Sequence, residues 1–191
     1  MNSFIFDLGH HYGDGLHHIK KLYSVDDSWR IIAFEPNTRC EEDLKRMSLS
    51  GPKVTGLPYA VSDVAHPAIF FREWDSNRNT ETGAGSHLAE IPLQLQHHAE
   101  EAVWCIDFSY FLRAFIPSRN KLYDNIFVVV KMDIEGAEYP VLRKMLLDGT
   151  IDLIDVLHVE FHHRFLDSET QETTDRIVEE LQKHTEVIIH W

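Results

Sequence analysis

Five short apolar runs, separated by segments with helical spacing, restrict the fold of this chain more than any other feature. The runs are rich in branched and aromatic residues and cover residues 4–6, 30–34, 126–130, 153–161 and 186–190. Several are continuous rather than alternating, which is typical of parallel strands that are covered on both faces. The segments between them place apolar residues three or four positions apart, as amphipathic helices do. The sequence therefore predicts an α/β fold with a mainly parallel central sheet and helices on both of its faces.

One region interrupts this alternation. Residues 66–104 contain short apolar pieces separated by polar and glycine-containing stretches. We expect an excursion from the sheet there, with strands near 68–72 and 103–106 and a mobile loop near 75–86, and this excursion is the predicted lid. Because 191 residues suffice for one domain with a substantial core, residues 1–191 are predicted to form a single domain.

The charge of the chain restricts its partners. Acidic side chains outnumber basic ones by 31 to 18, which gives a formal net charge of −13. Such a surface repels phosphodiester backbones and anionic lipids, so we expect no nucleic-acid partner and no membrane partner. The sequence shows no signal segment and no apolar run of the length of a membrane span. Together with two isolated cysteines, Cys40 and Cys105, these features predict a cytoplasmic protein.

Four of the predicted strands end at or beside a carboxylate. The residues are Asp7, Glu35, Asp133 and Glu160. The carboxyl ends of parallel strands meet at one edge of a sheet, and ligands collect at that edge near the point where the strand order reverses. Each carboxylate taken singly could be a helix cap or a solvated loop residue. Four of them at one edge predict a binding site.

The loop after the first predicted strand carries glycines without the spacing of a dinucleotide-binding fingerprint. Its sequence, FIFDLGHHYGDGL over residues 4–16, does not fit G-x-G-x-x-G, and Asp14 would repel a phosphate at the helix start. The loop instead suits a nucleoside without phosphates that approaches the backbone closely at Gly9 and Gly13. Glu35 lies 26 residues after Gly9, where an acidic side chain can accept hydrogen bonds from both hydroxyls of a ribose. NAD-binding folds share this last spacing.

A further segment, VVVKMDIEGAEYPVL over residues 128–142, resembles the signature of the FkbM family of S-adenosylmethionine-dependent methyltransferases. That family carries a K-x-D-x-E-G-A-E block, which this chain matches from Lys131 to Glu138. The segments FDLGHHYGDG, IIAFEP and YAVSD (residues 59–63) resemble the family's cofactor loop, its ribose-binding strand end and its adenine-side segment. The resemblance extends over nearly the whole chain.

The resemblance implies a Rossmann-like class I methyltransferase fold, S-adenosylmethionine as the cofactor, and methylation of a hydroxyl on a sugar or another small metabolite. It also implies a set of cofactor-binding residues: Asp7, Gly9, His11, Tyr12, Gly13, Glu35, Pro36, Ser62, Asp63 and Asp133. The chain ends at EVIIHW, so we expect that the last strand of a seven-stranded sheet could be missing. Residues 66–104, or a second subunit of a homo-oligomer, would then cover the substrate.

Asp133 is the first predicted catalytic residue. Methyl transfer from a sulfonium mainly requires positioning and the exclusion of water, but a hydroxyl acceptor must also lose its proton. Asp133 ends the central strand beside the expected methyl group, so we predict it as the base or as an orienting residue. Lys131 lies on the same strand face and could stabilise the charge of Asp133 or bind an oxyanion. His162 is a second candidate base.

Glu138 is expected to complement the N-terminus of the helix that follows it. For Glu135, that role and a role in the site both stay open.

A metal site is the alternative that the histidines suggest. His158, Glu160 and His162 alternate along one predicted strand and, with Asp133, could form a nitrogen and oxygen site for a divalent metal. No spacing in this set is diagnostic, so a divalent metal is an alternative that we do not favour. Two other functions stay open, namely a module that binds the cofactor without catalysis and a metal-dependent hydrolase that uses these carboxylates and histidines. The predicted partner is a small-molecule or glycan acceptor.

Overall fold

Strands and helices alternate along the chain. The computed structural model describes residues 2–49, 53–75, 80–81, 85–91, 97–116 and 126–189. The strands are β1 (Asn2–Leu8), β2 (Arg30–Phe34), β3 (Val54–Leu57), β4 (Ala60–Ser62), β5 (His66–Asp75), β6 (Thr80–Glu81), β7 (His87–Leu88), β8 (His97–Asp107), β9 (Ile126–Met132), β10 (Val156–Val159) and β11 (Glu186–Ile189). The α-helices are α1 (Asp14–Leu22), α2 (Glu41–Ser48), α3 (Phe108–Phe115), α4 (Glu138–Leu147) and α5 (Gln171–Leu181). None of these helices is long and apolar enough to cross a lipid bilayer.

Six of the strands form the central sheet, in the order β11-β10-β9-β1-β2-β3. All neighbouring pairs are parallel. The chain first moves outwards from β1 to β3 and later from β9 to β11, so the strand order reverses between β1 and β9. Such a reversal opens a crevice at the carboxyl ends of the strands. The predicted Rossmann-like α/β fold is confirmed, and within the residues described above the sheet contains no antiparallel seventh strand.

Alternate side chains of the strands pack into two helical layers, as the two-residue period of a strand requires. On one face, Ile5 and Val129 pack with Leu16 and Ile19 of α1. The opposite face, which includes Phe6, packs on three helices through the buried residues Phe108, Leu112, Tyr139, Leu142, Ile177 and Leu181. The continuous apolar runs of the sequence therefore correspond to strands that are buried on both faces.

A second sheet accounts for most of the described residues of the predicted excursion between 66 and 104. β5 pairs with β8 in antiparallel fashion, and β4 pairs with β8 in parallel. The short strands β6 and β7 pair with β5. The strands predicted near 68–72 and 103–106 lie within β5 and β8, but both are longer than predicted because their ladder continues from His66 to Glu73. Residues 76–79 and 82–84, which belong to the mobile loop predicted near 75–86, lie outside the described residues.

Hydrogen bonds link the second sheet and its connections to the loops at the carboxyl edge of the central sheet. The backbone N–H of Gly85 donates a hydrogen bond to Glu135 Oε1 (2.9 Å). The backbone N–H and the hydroxyl of Thr38 donate to Glu101 of β8 (3.2 and 2.7 Å). These contacts place β7 beside the crevice at the ends of β1, β2 and β9.

Candidate functional site

Two adjoining cavities lie at the carboxyl edge of the central sheet. The first, called the first cavity below, measures about 710 Å³ when the space at its open mouth is included. Its lining residues are Gly9, His11, Phe34, Glu35, Pro36, Tyr59, Ala60, Val61, Phe70, Ser86, His87, Leu88, Asp133, Ile134 and Glu135. The lining combines apolar and aromatic side chains with the carboxylates of Glu35, Asp133 and Glu135. This combination suits a ligand that has both an apolar ring and a cationic group.

The loop between β1 and α1 is fixed at Gly9. The backbone N–H groups of Gly9 and His10 both donate to the carbonyl oxygen of Phe34 (3.1 and 3.0 Å). Gly9 has a φ of +78°, and a Cβ atom at this position would lie 1.8 Å from the backbone oxygen of Asp133. Only glycine allows this conformation and this approach. Gly9 therefore lets the loop join the ends of β2 and β9.

Glu35 is the buried carboxylate at the end of β2. Its Oε2 accepts a hydrogen bond from the backbone N–H of His11 (2.6 Å), and its Oε1 accepts one from the backbone N–H of Asn37 (2.8 Å). Burial raises the pKa of Glu35, and these two N–H groups oppose that rise. One hydrogen bond at each oxygen fixes the carboxylate and leaves further acceptor sites towards the cavity. Glu35 can therefore accept hydrogen bonds from a vicinal diol.

A buried ionic group lies beneath the first cavity. Lys131 Nζ donates to the carbonyl oxygen of Gly9 and lies 3.4 Å from Asp7 Oδ1 and 3.6 Å from Asp133 Oδ2. His10 Nδ1 donates to Asp7 Oδ2 (2.6 Å). Although burial opposes ionisation, Lys131 holds the pKa of Asp7 below its usual value, and Asp7 and Asp133 raise the pKa of Lys131. Lys131 thus fixes the positions of Asp133 and the Gly9 loop.

The second cavity adjoins the first and shares Asp133 and Glu135 with it. It measures about 630 Å³ when the space at its open mouth is included, and its lining residues are Glu73, Gly85, Asp133, Glu135, Glu160, His162, Arg164 and Phe165. Four of the eight are carboxylates, so this cavity is far more acidic than the first. Carboxylates accept hydrogen bonds from hydroxyl groups and neutralise cations, and the second cavity can therefore hold a polyhydroxylated or cationic ligand.

His162 is held in the wall of the second cavity by Glu138. The side chain of His162 is 4% exposed, and its Nδ1 lies 3.0 Å from Glu138 Oε1. Glu138 is fully buried and also accepts hydrogen bonds from the backbone N–H groups of His162 (2.8 Å) and Gly136 (2.7 Å). Although burial lowers the pKa of His162, Glu138 and the carboxylates of Glu135 and Asp133 raise it to about 9. The bond from Gly136 fits the predicted helix-complementing role of Glu138, and the bonds from His162 give Glu138 a second role.

Glu135 joins the two cavities. Its backbone adopts the left-handed conformation, with a φ of 52°, and its Oε2 lies 3.3 Å from His162 Nε2. Burial, reinforced by Asp133 and opposed by His162, raises the pKa of Glu135 to about 7. A strained backbone and a shifted pKa at one cavity residue are typical of functional sites. The structure thus places Glu135 among the site residues.

The structure brings half of the predicted cofactor residues to the wall of the first cavity. These are Gly9, His11, Glu35, Pro36 and Asp133. The other five, which are Asp7, Tyr12, Gly13, Ser62 and Asp63, are not among its described lining residues. Asp7 is instead fully buried beneath the loop, and Tyr12 is 47% exposed beside His11. Gly13, with a φ of +91°, begins α1 against the ring of His10.

His158 does not join the predicted metal-binding set. β10 ends at Val159, so the predicted alternation from His158 to His162 along one strand does not exist. His158 lies beside Lys131 in the sheet register and packs on the α1 side, where the hydroxyl of Tyr23 lies 2.9 Å from its Nε2. Burial lowers the pKa of His158 to about 4. The structure instead brings together ligand atoms of Asp133, Glu135 and His162, all within 4.8 Å of one another.

Several wall residues of the first cavity were not predicted from the sequence. They are Phe34, Tyr59, Ala60, Val61, Phe70, Ser86, His87, Leu88 and Ile134. Of the segment YAVSD, the first three residues line the cavity, and Ser62 and Asp63 are not among the described lining residues. Phe70 lies on β5 and His87 lies on β7. No local motif in the sequence predicts the antiparallel pairing of these two strands.

A protein-family model matches nearly the whole chain. The family model described as the methyltransferase FkbM domain matches residues 7–188. The matched span includes all the residues that line the two cavities. Comparisons with curated proteins and with solved structures give no significant match.

Proposed function

The chain belongs to the FkbM methyltransferase family, and on this premise we propose that it transfers the methyl group of S-adenosylmethionine to a hydroxyl oxygen of a sugar or another small metabolite. One observation carries the proposal. A cavity with a diol-binding carboxylate and apolar walls meets a carboxylate-rich cavity at Asp133 and Glu135, which line both. A donor in the first cavity and an acceptor in the second would therefore meet at these two side chains.

The residues of the first cavity fit S-adenosylmethionine. Glu35 is fixed where it can bind the two ribose hydroxyls, and the apolar side chains of Phe34, Val61 and Phe70 can pack on the adenine. Asp133, which also lines this cavity, can attract the cationic part of the cofactor. When bound, S-adenosylmethionine supplies a methyl group that is already activated on a sulfonium. The work left to the protein is orientation, exclusion of water and removal of the acceptor proton.

Asp133 is the proposed proton acceptor of this reaction. It lines both cavities, and Lys131 holds its Oδ2 at 3.6 Å while Oδ1 faces His162. The role of second base, predicted for His162, is disfavoured, because a pKa of about 9 leaves this imidazole protonated at neutral pH. Lys131 is a positioning residue, because it is buried beneath the Gly9 loop and is not among the described residues that line either cavity.

The acceptor class is proposed from the second cavity. Glu73, Glu160 and Glu135 can accept hydrogen bonds from the hydroxyls of a polyol, and Phe165 can pack on the face of a sugar ring. A small-molecule or glycan acceptor, without a nucleic-acid or membrane partner, fits the net charge of −13. A cytoplasmic location and a homo-oligomeric state stay predictions, which cell fractionation and light scattering would test.

The proposal is tested by methyl transfer itself. The protein is incubated with S-adenosylmethionine carrying a ¹³C-labelled methyl group and with a panel of sugars, glycosides and hydroxylated metabolites. The expected product is an O-methyl ether, identified by mass spectrometry and by its NMR methyl signal, and Asp133→Asn should reduce the yield at least tenfold. Transfer only to nitrogen or sulfur acceptors, or no transfer by a protein that binds the cofactor, would contradict the proposal.

A further inference from the structure

We infer that Asp133, Glu135 and His162 bind a divalent cation, of the class of Mn²⁺ or Zn²⁺, at the boundary between the two cavities. The inference deepens the proposed function, because the catalytic role of the cation rests on that function. Cation binding itself can be tested independently of methyl transfer. No local spacing in the sequence pointed to this set. It differs from the set that the sequence suggested, because Glu135 enters it and both His158 and Glu160 leave it.

The geometry of the three side chains suits a single ion. His162 Nε2 lies 3.3 Å from Glu135 Oε2 and 3.8 Å from Asp133 Oδ1, and one ligand atom from each residue lies within 4.8 Å of the other two. Bonds of about 2.0–2.2 Å from an ion to nitrogen and oxygen ligands require ligand atoms about 3–4 Å apart. Small rotations of the carboxylates would complete the site. Imidazole and carboxylate together favour a first-row ion such as Mn²⁺ or Zn²⁺.

His162 is oriented as metal-binding histidines are. Its Nδ1 lies against the fully buried carboxylate of Glu138, which also accepts two backbone N–H groups and so cannot move freely. A carboxylate at one ring nitrogen fixes the tautomer and directs the other nitrogen to the metal. The other ring nitrogen of His162, Nε2, faces the second cavity, although the side chain as a whole is only 4% exposed. The position of Glu138 therefore has a reason beyond the helix N-terminus.

The charges around the set are those that a cation would balance. Three carboxylates, those of Asp133, Glu135 and Glu160, lie within 4 Å of His162 Nε2. Lys131 lies next to Oδ2 of Asp133 and is shared with Asp7, so Oδ1 of Asp133 stays available for the ion. A bound cation would replace the proton on Nε2. Its binding should therefore weaken as the pH falls and this proton returns.

The open side of the set gives the cation a role in catalysis. Glu73, Glu160 and Arg164 line the remainder of the second cavity, from which an acceptor hydroxyl can reach the ion. Coordination lowers the pKa of that hydroxyl. Its O–H bond breaks, the electron pair stays on the oxygen, and the proton passes to Glu160, whose side chain is 38% exposed and can release it to solvent. With the cation bound, Asp133 is a ligand and Glu160 replaces it as the proton acceptor.

Cation binding is tested with the untagged full chain after dialysis against a chelator. MnCl₂ is titrated by calorimetry and by the loss of the free Mn²⁺ signal in electron paramagnetic resonance. We expect one Mn²⁺ per chain, and an affinity at least tenfold lower in Glu135→Gln and in His162→Gln, which keeps a donor for Glu138. Wild-type binding should weaken at least tenfold between pH 8 and pH 6.

Two matched variants separate this site from others on the chain. His163→Gln changes the neighbouring half-buried histidine, and Glu90→Gln changes a second cluster formed by His66, Glu90 and Cys105. Both should bind Mn²⁺ as the wild type does. A Glu135→Gln affinity equal to that of the wild type, or no binding at millimolar Mn²⁺, would overturn the inference. Binding removed only by His17→Gln/His18→Gln would mean an adventitious ion only.

Titration of S-adenosylhomocysteine into the same metal-free protein separates this inference from the proposed function. If S-adenosylhomocysteine binds and Mn²⁺ does not, the cation inference fails and the proposed function stands. If Mn²⁺ binds at the three residues and S-adenosylhomocysteine does not, the proposed function fails and the cation site stands without a catalytic role.

Discussion

The two cavities differ in how their residues are held. In the first cavity, backbone groups fix the important side chain, since two N–H groups hold Glu35 and the carbonyl of Phe34 holds the Gly9 loop. In the second cavity, ionisable side chains also hold one another, and the ring of His162 contacts four carboxylates. Backbone contacts are independent of pH in the neutral range, whereas the ionic contacts are not. We therefore expect the first cavity to be rigid and the second to respond to pH and charge.

The largest expected effect comes from the close contact between Gly9 of the first cavity and Asp133, which lines both cavities. A methyl group in Gly9→Ala would meet the carbonyl oxygen of Asp133 at 1.8 Å and would strain the backbone. We expect a loss of about 4 kcal/mol or more in the free energy of unfolding, measured in urea. The matched control is Gly149→Ala, which has a similar φ of +72° but no atom within 4 Å of the added methyl group. It should lose only about 1–2 kcal/mol. Equal losses would show that the contact with Asp133 does not matter.

In the second cavity, the substitution with the largest expected effect is at Glu138, which holds His162. Glu138→Ala removes the acceptor of the Nδ1 proton of His162 and of two backbone N–H groups. Leaving buried donors without an acceptor should cost about 2–4 kcal/mol in the free energy of unfolding. By NMR titration, the pKa of His162 should fall. Glu172→Ala, which changes an exposed residue of α5, is the control and should leave both quantities unchanged.

A rise in pH should destabilise the second cavity. The pKa of His162 is raised to about 9 in the folded protein, so its contribution to stability is complete below about pH 6.5 and is lost as the pH rises through 9. Glu135, with its pKa raised to about 7, acts in the same direction between about pH 4.5 and 7. We expect wild type to lose about 1–3 kcal/mol of unfolding free energy between pH 6 and 9.5. His162→Gln should lose less over that range, and an equal loss would mean that His162 is not the group responsible.

The smallest expected effect lies in the cofactor loop, at His11. Its φ of 51° is left-handed, and its contribution to Glu35 is a backbone N–H rather than the ring. Asn tolerates this conformation, so His11→Asn should change the free energy of unfolding by about 0.5 kcal/mol or less and weaken cofactor binding by less than about fivefold. A larger loss of binding, measured by calorimetry, would show that the imidazole contacts the cofactor.

The sequence predicted the first cavity better than the second, and the way each is held explains this. Glu35 and Gly9 follow strands that are continuous in sequence, so spacing alone places them at one edge of the sheet. The set around His162 depends on where β10 ends, and the apolar run gave no sign that the strand ends at Val159 rather than at Phe161. Its outer wall depends on the pairing of β5, β7 and β8 across stretches of chain that no local pattern relates.

The central claim, that the first cavity binds S-adenosylmethionine through Glu35, is tested most directly by calorimetric titration of this cofactor. Wild type should bind one equivalent, and Glu35→Ala should weaken binding by about 1–3 kcal/mol, or about 5- to 150-fold. Glu42→Ala, an exposed position on α2, should bind as wild type does. No binding by wild type at millimolar cofactor, or an unchanged Kd in Glu35→Ala, would contradict the account.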